Sequence, residues 1–231
     1  MKLKERLSLP IVFLVLSNLV PVVGVVLWHW DVAAILILYW SENLIIGAST
    51  VIKVIARSPI GGPFSSLFFV LHYGGFCAVH GMMLLAFLLH VKDPFGKLTW
   101  PLWFAFLQLL LNVMRQVFEL APREWIYAFL SLCVSHAVSL IYHFFIKGER
   151  ERVTGQQLMA APYSRILVLH LAVLFGGWGV MALNSPMPLL IVLIVGKIVL
   201  DLSAHIKEHR TSAKGNEAKS TSIEPRISAA Q

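Results

Sequence analysis

Val32-Ala33-Ala34-Ile35-Leu36-Ile37-Leu38-Tyr39-Trp40-Ser41-Glu42-Asn43-Leu44-Ile45-Ile46-Gly47-Ala48-Ser49-Thr50-Val51-Ile52-Lys53-Val54-Ile55 carries one carboxylate and no basic residue before Lys53. About 20 apolar residues carry a helix across the hydrocarbon core of a bilayer, so this run is long enough to span one. Glu42 and Asn43 stand about eleven residues from its start, near mid-bilayer at about 1.5 Å of rise per residue. Similar runs occur on both sides. Leu7–Trp28 precedes it, behind the basic start Met1-Lys2-Leu3-Lys4-Glu5-Arg6, and is too long for a signal peptide and lacks a small-residue cleavage site. Phe64–Leu89, Trp125–Ile146, Ser164–Leu183 and Leu189–Ile206 follow, separated by turns such as Ser58-Pro59-Ile60-Gly61-Gly62-Pro63 and Asn184-Ser185-Pro186-Met187-Pro188.

The whole composition agrees. Of 231 residues, 58% are hydrophobic and 13% charged, with mean hydropathy +0.76. Soluble domains average about 45–50% apolar and about 25% charged, which excludes soluble enzyme folds, nucleic-acid modules and disulfide scaffolds. The net charge of +7 comes from Lys and Arg in loops and tails, where topology signals lie. Cys77 and Cys133 both fall within apolar stretches and read as small buried hydrophobes.

Residues 99–120 differ. Gln108, Asn112, Arg115, Gln116 and Glu119 form one polar stripe of a helix. Such a helix lies in the interface with its stripe in water, or spans and turns the stripe inward. With this segment interfacial, Lys2, Lys4, Arg6, Lys53, Arg57, Lys147, Arg150, Arg152 and the basic tail share one side; Lys92, Lys97, Arg115 and Arg123 fall on the other. If it spans, that bias vanishes. The positive-inside rule therefore favours an all-α polytopic bundle of six spans plus one amphipathic interfacial helix; seven spans is the alternative. Residues 1–209 are the transmembrane domain and 210–231 a disordered cytoplasmic tail, with both termini cytoplasmic at the cell (inner) membrane. The bilayer is the expected partner, with a second copy or another membrane protein as further candidates and no nucleic acid.

Ionisable groups inside spans are costly and face the bundle interior or a cavity. Here they are Glu42, His72, His80, His136, His143, His170, Lys197, Asp201 and His205, with His209 just beyond. Lys197, Asp201, His205 and His209 recur every four residues, a slowly winding stripe on one helix. Imidazole and carboxylate ligate transition metals. His72, His80, His136, Asp201 and His205 are thus candidate ligands of zinc, iron or copper, and Glu42 a candidate general base for a bound water. Haem held between His80 and His136 is a lesser option. The bland alternatives are a Lys197–Asp201 ion pair along one helix, and histidines such as His170 that only pack. A lone mid-span carboxylate stays protonated unless a cation or donor meets it, so Glu42 requires a specific partner.

The motifs Ser17-Asn18-Leu19-Val20-Pro21, Tyr39-Trp40-Ser41-Glu42-Asn43, His72-Tyr73-Gly74-Gly75-Phe76 with His80, Ser135-His136, Ala161-Pro162-Tyr163-Ser164-Arg165-Ile166, and Leu200-Asp201-Leu202 with His205 and Glu208-His209 cover most of residues 8–209. In these the chain resembles a family of bacterial and archaeal multi-pass membrane proteins known as a domain of unknown function. The resemblance implies that these positions belong to the family's pattern, and it implies no activity.

Three functions compete: a metal-binding membrane protein or metalloenzyme, a small proton-coupled carrier using the same polar cavity, and a structural or assembly partner. The first predicts near-stoichiometric metal in the detergent-purified protein, lost in Asp201→Ala or His205→Ala. Metal-free, well-folded wild-type protein by elemental analysis overturns it.

Overall fold

The computed structural model describes Leu19 and residues 23–123 and 125–200. Most of the Leu7–Trp28 run, Asp201, His205, His209 and the tail at 210–231 lie outside the described residues. Among the described residues the chain is helical, with no strand.

Residues 23–28 are helical and lead through a turn into α1, Val32–Arg57. Asp31 caps α1 by accepting the Ala33 amide at 2.8 Å, and Ser58-Pro59 ends it. Helix α2, Gly62–Leu88, opens with Pro63 in its first turn, where the missing N–H costs nothing. Helix α3 is Leu102–Leu120 and α4 is Trp125–Ile146, the last seven residues of α4 widening into a π-helix. A short α5, Glu149–Arg152, follows. Helix α6, Gly155–Leu183, starts earlier than the apolar run alone suggests. A capping box between Thr154 and Gln157 nucleates a first turn, and the chain passes through Ala161-Pro162 into the apolar part. Asn184, in the left-handed region at φ 48°, stops it, and α7, Met187–Leu200, turns back.

Helices α1, α2, α4 and α6 are long and apolar enough to cross a membrane; the described part of α7 is apolar but shorter, and α3 is not among them. The contacts fix the helix directions. Glu42 meets His136 and Lys53 meets Glu149, so α1 and α4 run in the same direction. His80 meets His170 and Phe87 lies against Gly177, so α2 and α6 also run in the same direction. Helix α7 returns antiparallel along α6, with Pro188 near Gly179 and Gly196 near Val168. Helix α3 lies beside the second half of α2 and runs the same way: Phe106 stands at Gly75, Leu110 at Gly74 and Val113 at Gly81.

That arrangement explains the α3 stripe. The 90–101 connection must travel back along the bundle before α3 begins, and it does so against Gln108, Asn112 and Gln116. Gln108 Oε1 accepts the Thr99 and Trp100 amides, both at 2.8 Å, and its Nε2 donates to the Lys97 carbonyl at 3.1 Å. Asn112 donates to the Phe95 carbonyl at 3.0 Å and Gln116 to that of Pro94 at 3.3 Å. The stripe therefore satisfies the backbone of its own connection. Only its far end, the exposed Arg115–Glu119 pair at 2.8 Å, faces outward.

The main core draws Leu36, Ile37 and Trp40 from α1, Ala78, Leu84 and Leu85 from α2, Leu109 and Val113 from α3, Leu169, Ala172 and Val173 from α6, and Leu189, Leu190 and Leu193 from α7. Trp40, fully buried, donates its indole N–H to the Cys77 carbonyl at 2.8 Å. Two close approaches depend on glycine. A Cβ on Gly81 would stand 2.6 Å from atoms of Trp40 and Val113, and one on Gly176 would stand 2.3 Å from Leu189 Cα. The second neighbour is backbone and cannot rotate away. Overpacking a core costs about 1–3 kcal/mol, and a domain of this size loses roughly 2–4 °C per kcal/mol. Gly176→Ala is expected to lower the melting temperature in detergent by about 5 °C, whereas Gly155→Ala, with nothing within 4 Å, leaves it within about 1 °C; equal melting temperatures for both variants would refute the close α6–α7 contact.

Candidate functional site

The partner that Glu42 requires is a guanidinium. Arg165 Nη1, one turn into the apolar part of α6, donates to Glu42 Oε1 at 2.9 Å. His136 Nε2 on α4 stands 3.4 Å from the same oxygen. The Glu42 side chain is 16% exposed, Arg165 35% and His136 26%, so the pair is partly withdrawn from solvent and the Coulomb attraction is correspondingly stronger than in water. A fourth element contributes Lys197 of α7. It lines a small cavity of about 40 Å³ with Tyr39, Glu42, Asn43 and Arg165, and its amine stands 4.8 Å from the Tyr39 ring centroid. Asn43 donates to the Tyr39 carbonyl at 2.9 Å, while its buried Oδ1 meets no donor among the described residues.

Beside this centre lies a larger cavity of about 290 Å³. His136 and Arg165 reach it from the Glu42 side, and Lys53, Glu149, Ser49, Thr50, Ser139 and Gln157 complete its polar wall. Lys53 stands 3.4 Å from Glu149 and 5.3 Å from the Phe144 ring centroid. Val54, Phe144 and Leu158 form a small apolar cluster at this end. Arg165 lines both cavities and so forms the wall between them.

The histidines expected to converge as metal ligands are divided among different partners. His136 joins Glu42. His72 Nδ1 lies 2.7 Å from Tyr163 Oη, and His80 Nε2 lies 2.9 Å from His170 Nδ1. His80 and His136, the pair considered for haem, thus have separate partners. Among the described residues no group of three or more His, Cys, Asp or Glu side chains is placed to hold a metal ion. Asp201 and His205 lie outside those residues.

Sequence reasoning located Glu42 and His136 but not Arg165. That arginine occurs at the start of an apolar run, where a basic residue usually marks a membrane boundary. Its spacing to Glu42 spans 123 residues, so no local pattern couples them. The usable signal was the unpaired carboxylate itself, which demands a cation somewhere. His170, read as a hydrogen-bonded packing residue, has His80 as its hydrogen-bond partner.

The model of a family of unknown function, DUF6498, matches residues 1–218, and the chain belongs to that family. No curated protein and no solved structure matches the chain.

Removing one partner of a buried ion pair costs about 3–5 kcal/mol, less where a partner is partly solvated. Glu42→Gln is therefore expected to destabilise the protein by about 2 kcal/mol, seen as a lower melting temperature. Glu42→Gln combined with Arg165→Gln recovers part of that loss, since no charge is then stranded. A double variant whose loss equals the sum of the singles would show that the two side chains do not interact.

Proposed function

We propose that this member of DUF6498 is a multi-pass membrane protein that binds a small carboxylate or phosphate anion in the cavity beside Glu42 and carries it in step with a proton. The observation behind this reading is Arg165. A guanidinium has five N–H donors, and the contact with Glu42 uses one of them. The cavity wall beyond it carries Lys53, paired with Glu149, and His136, so an entering anion meets the donors that Arg165 and Lys53 do not give to their carboxylates. Hydroxyl and amide groups of Ser49, Thr50, Ser139 and Gln157 supply neutral hydrogen bonds for the rest of such a molecule.

The coupling follows from charge balance. An anion that takes donors of Arg165 weakens their hold on Glu42. The Glu42 carboxylate then keeps its charge only by leaning on Lys197 or His136, or gives it up by accepting a proton, and His136 is within reach to deliver one. In this reading Glu42 is an exchangeable counter-ion rather than a general base. In the six-span reading the Lys53 end of α1 faces the cytoplasm, so the cavity opens to that side. The metal reading rests on Asp201 and His205, and the metal content of the purified protein decides it.

The test is thermal stabilisation of the detergent-purified protein by inorganic phosphate, acetate, succinate and glutamate, with glucose and choline as neutral and cationic controls. A ligand at a hundred times its Kd stabilises by about 2.7 kcal/mol, or roughly 5–10 °C here. We expect a shift of this order from at least one anion, none from the controls, and its loss in both Arg165→Gln and Lys53→Gln. No shift with any anion, or equal shifts with the controls, overturns the proposal.

A further inference from the structure

A second candidate site lies on the opposite flank of α6. Phe68, His72, Phe76 and His80 recur every four residues along α2, and their rings form a continuous column. Ring centroids are 5.4 Å apart from Phe68 to His72, 5.2 Å to Phe76 and 6.3 Å to His80, and the column ends on His170 at 5.1 Å. Beside it runs a groove of about 310 Å³, lined by Leu71, Gly75, Val79 and Phe106 together with these rings. It stands at the middle of α2, and it is open: Phe68 is 62% and Phe76 40% exposed.

The imidazoles make this more than an apolar face. His72 commits Nδ1 to Tyr163, and His170 commits Nδ1 to His80. Their Nε2 atoms have no partner among the described residues. When Tyr163 Oη donates to His72, that imidazole carries its proton on Nε2; in the His80–His170 pair either ring can supply the shared proton. The groove then has aromatic walls, an N–H donor at His72 and a further imidazole nitrogen at His170. A lipid acyl chain satisfies neither nitrogen, and polar groups left bare at membrane depth are costly. A planar ring with a carbonyl acceptor and an apolar body satisfies both the stacking surface and a donor. We propose that this groove binds a lipid-soluble carbonyl compound of the quinone class, its ring on the Phe76 side of the column and a carbonyl oxygen on His72.

The experiment measures binding of menadione and of a short-chain ubiquinone to chelator-treated full-length protein in nanodiscs, by intrinsic tryptophan quenching. We expect saturable binding, weakened at least tenfold by His72→Phe, which keeps an aromatic ring and removes the donor. Val79→Trp, which fills the groove and leaves the histidines in place, also blocks it. Glu42→Gln leaves it unchanged, so this result stands or falls separately from the anion site. Binding no stronger than partition into empty nanodiscs overturns the proposal. So does full competition by oleate, which marks an acyl-chain site, or a change of oligomeric state in the His72→Phe variant, which marks a protein contact. Size-exclusion profiles identify any variant that fails to fold.

Discussion

A carboxylate placed in the middle of an apolar helix has to be met by a cation, and the bundle is arranged around meeting it. Glu42 sits on α1, its counter-charges come from α6 and α7, and α4 adds the imidazole of His136. None of those helices is a sequence neighbour of α1. The Arg165 contact fixes the rotation of α6 against α1, since a turn of one residue would carry the guanidinium about 100° away. The same rotation sends Ile166 and Leu169 into apolar clusters and turns His170 outward, toward α2. One ion pair thus orders a polar interior on one flank of α6 and an imidazole-bearing groove on the other.

The two flanks differ in solvent. Around Glu42 the walls carry full charges and hydroxyls, and the cavities lie among α1, α4, α6 and α7. Along α2 the walls are rings and aliphatic side chains, with hydrogen bonds between Tyr163 and His72 and between the two histidines. The separation follows from electrostatics. Charges gather where several helices can share them, and imidazoles, which can remain neutral, tolerate the face turned toward lipid.

The spans were legible from sequence because hydropathy alone sets them. Trp125–Ile146 was read to the residue, and the α1, α2 and α6 apolar runs to within a few positions except at the α6 start, where Gln156 and Gln157 made a capped turn look like loop. Glu42 was legible as a site because its cost is local. Its partner was not, because pairing across 123 residues depends on helix rotation. The histidines were read as one cluster from their depth, and depth does not determine which face each occupies. His72, His80 and His136 share a zone of the bundle but point to Tyr163, His170 and Glu42. The α3 stripe was correctly seen as polar, yet both readings of it, water or bundle interior, overlooked the chain's own connection as the object it faces.

Residues 90–101 leave the end of α2, travel back along it, and hand over to an α3 whose Phe106 stands at Gly75, half-way down α2. The segment from Leu89 to Leu120 therefore begins and ends at the same end of α2, with one irregular limb and one helical limb. Irregular backbone holds one course where side chains supply its hydrogen bonds. Gln108, Asn112 and Gln116 are that supply, an amide ladder that fixes the course of a connection most of whose side chains are exposed.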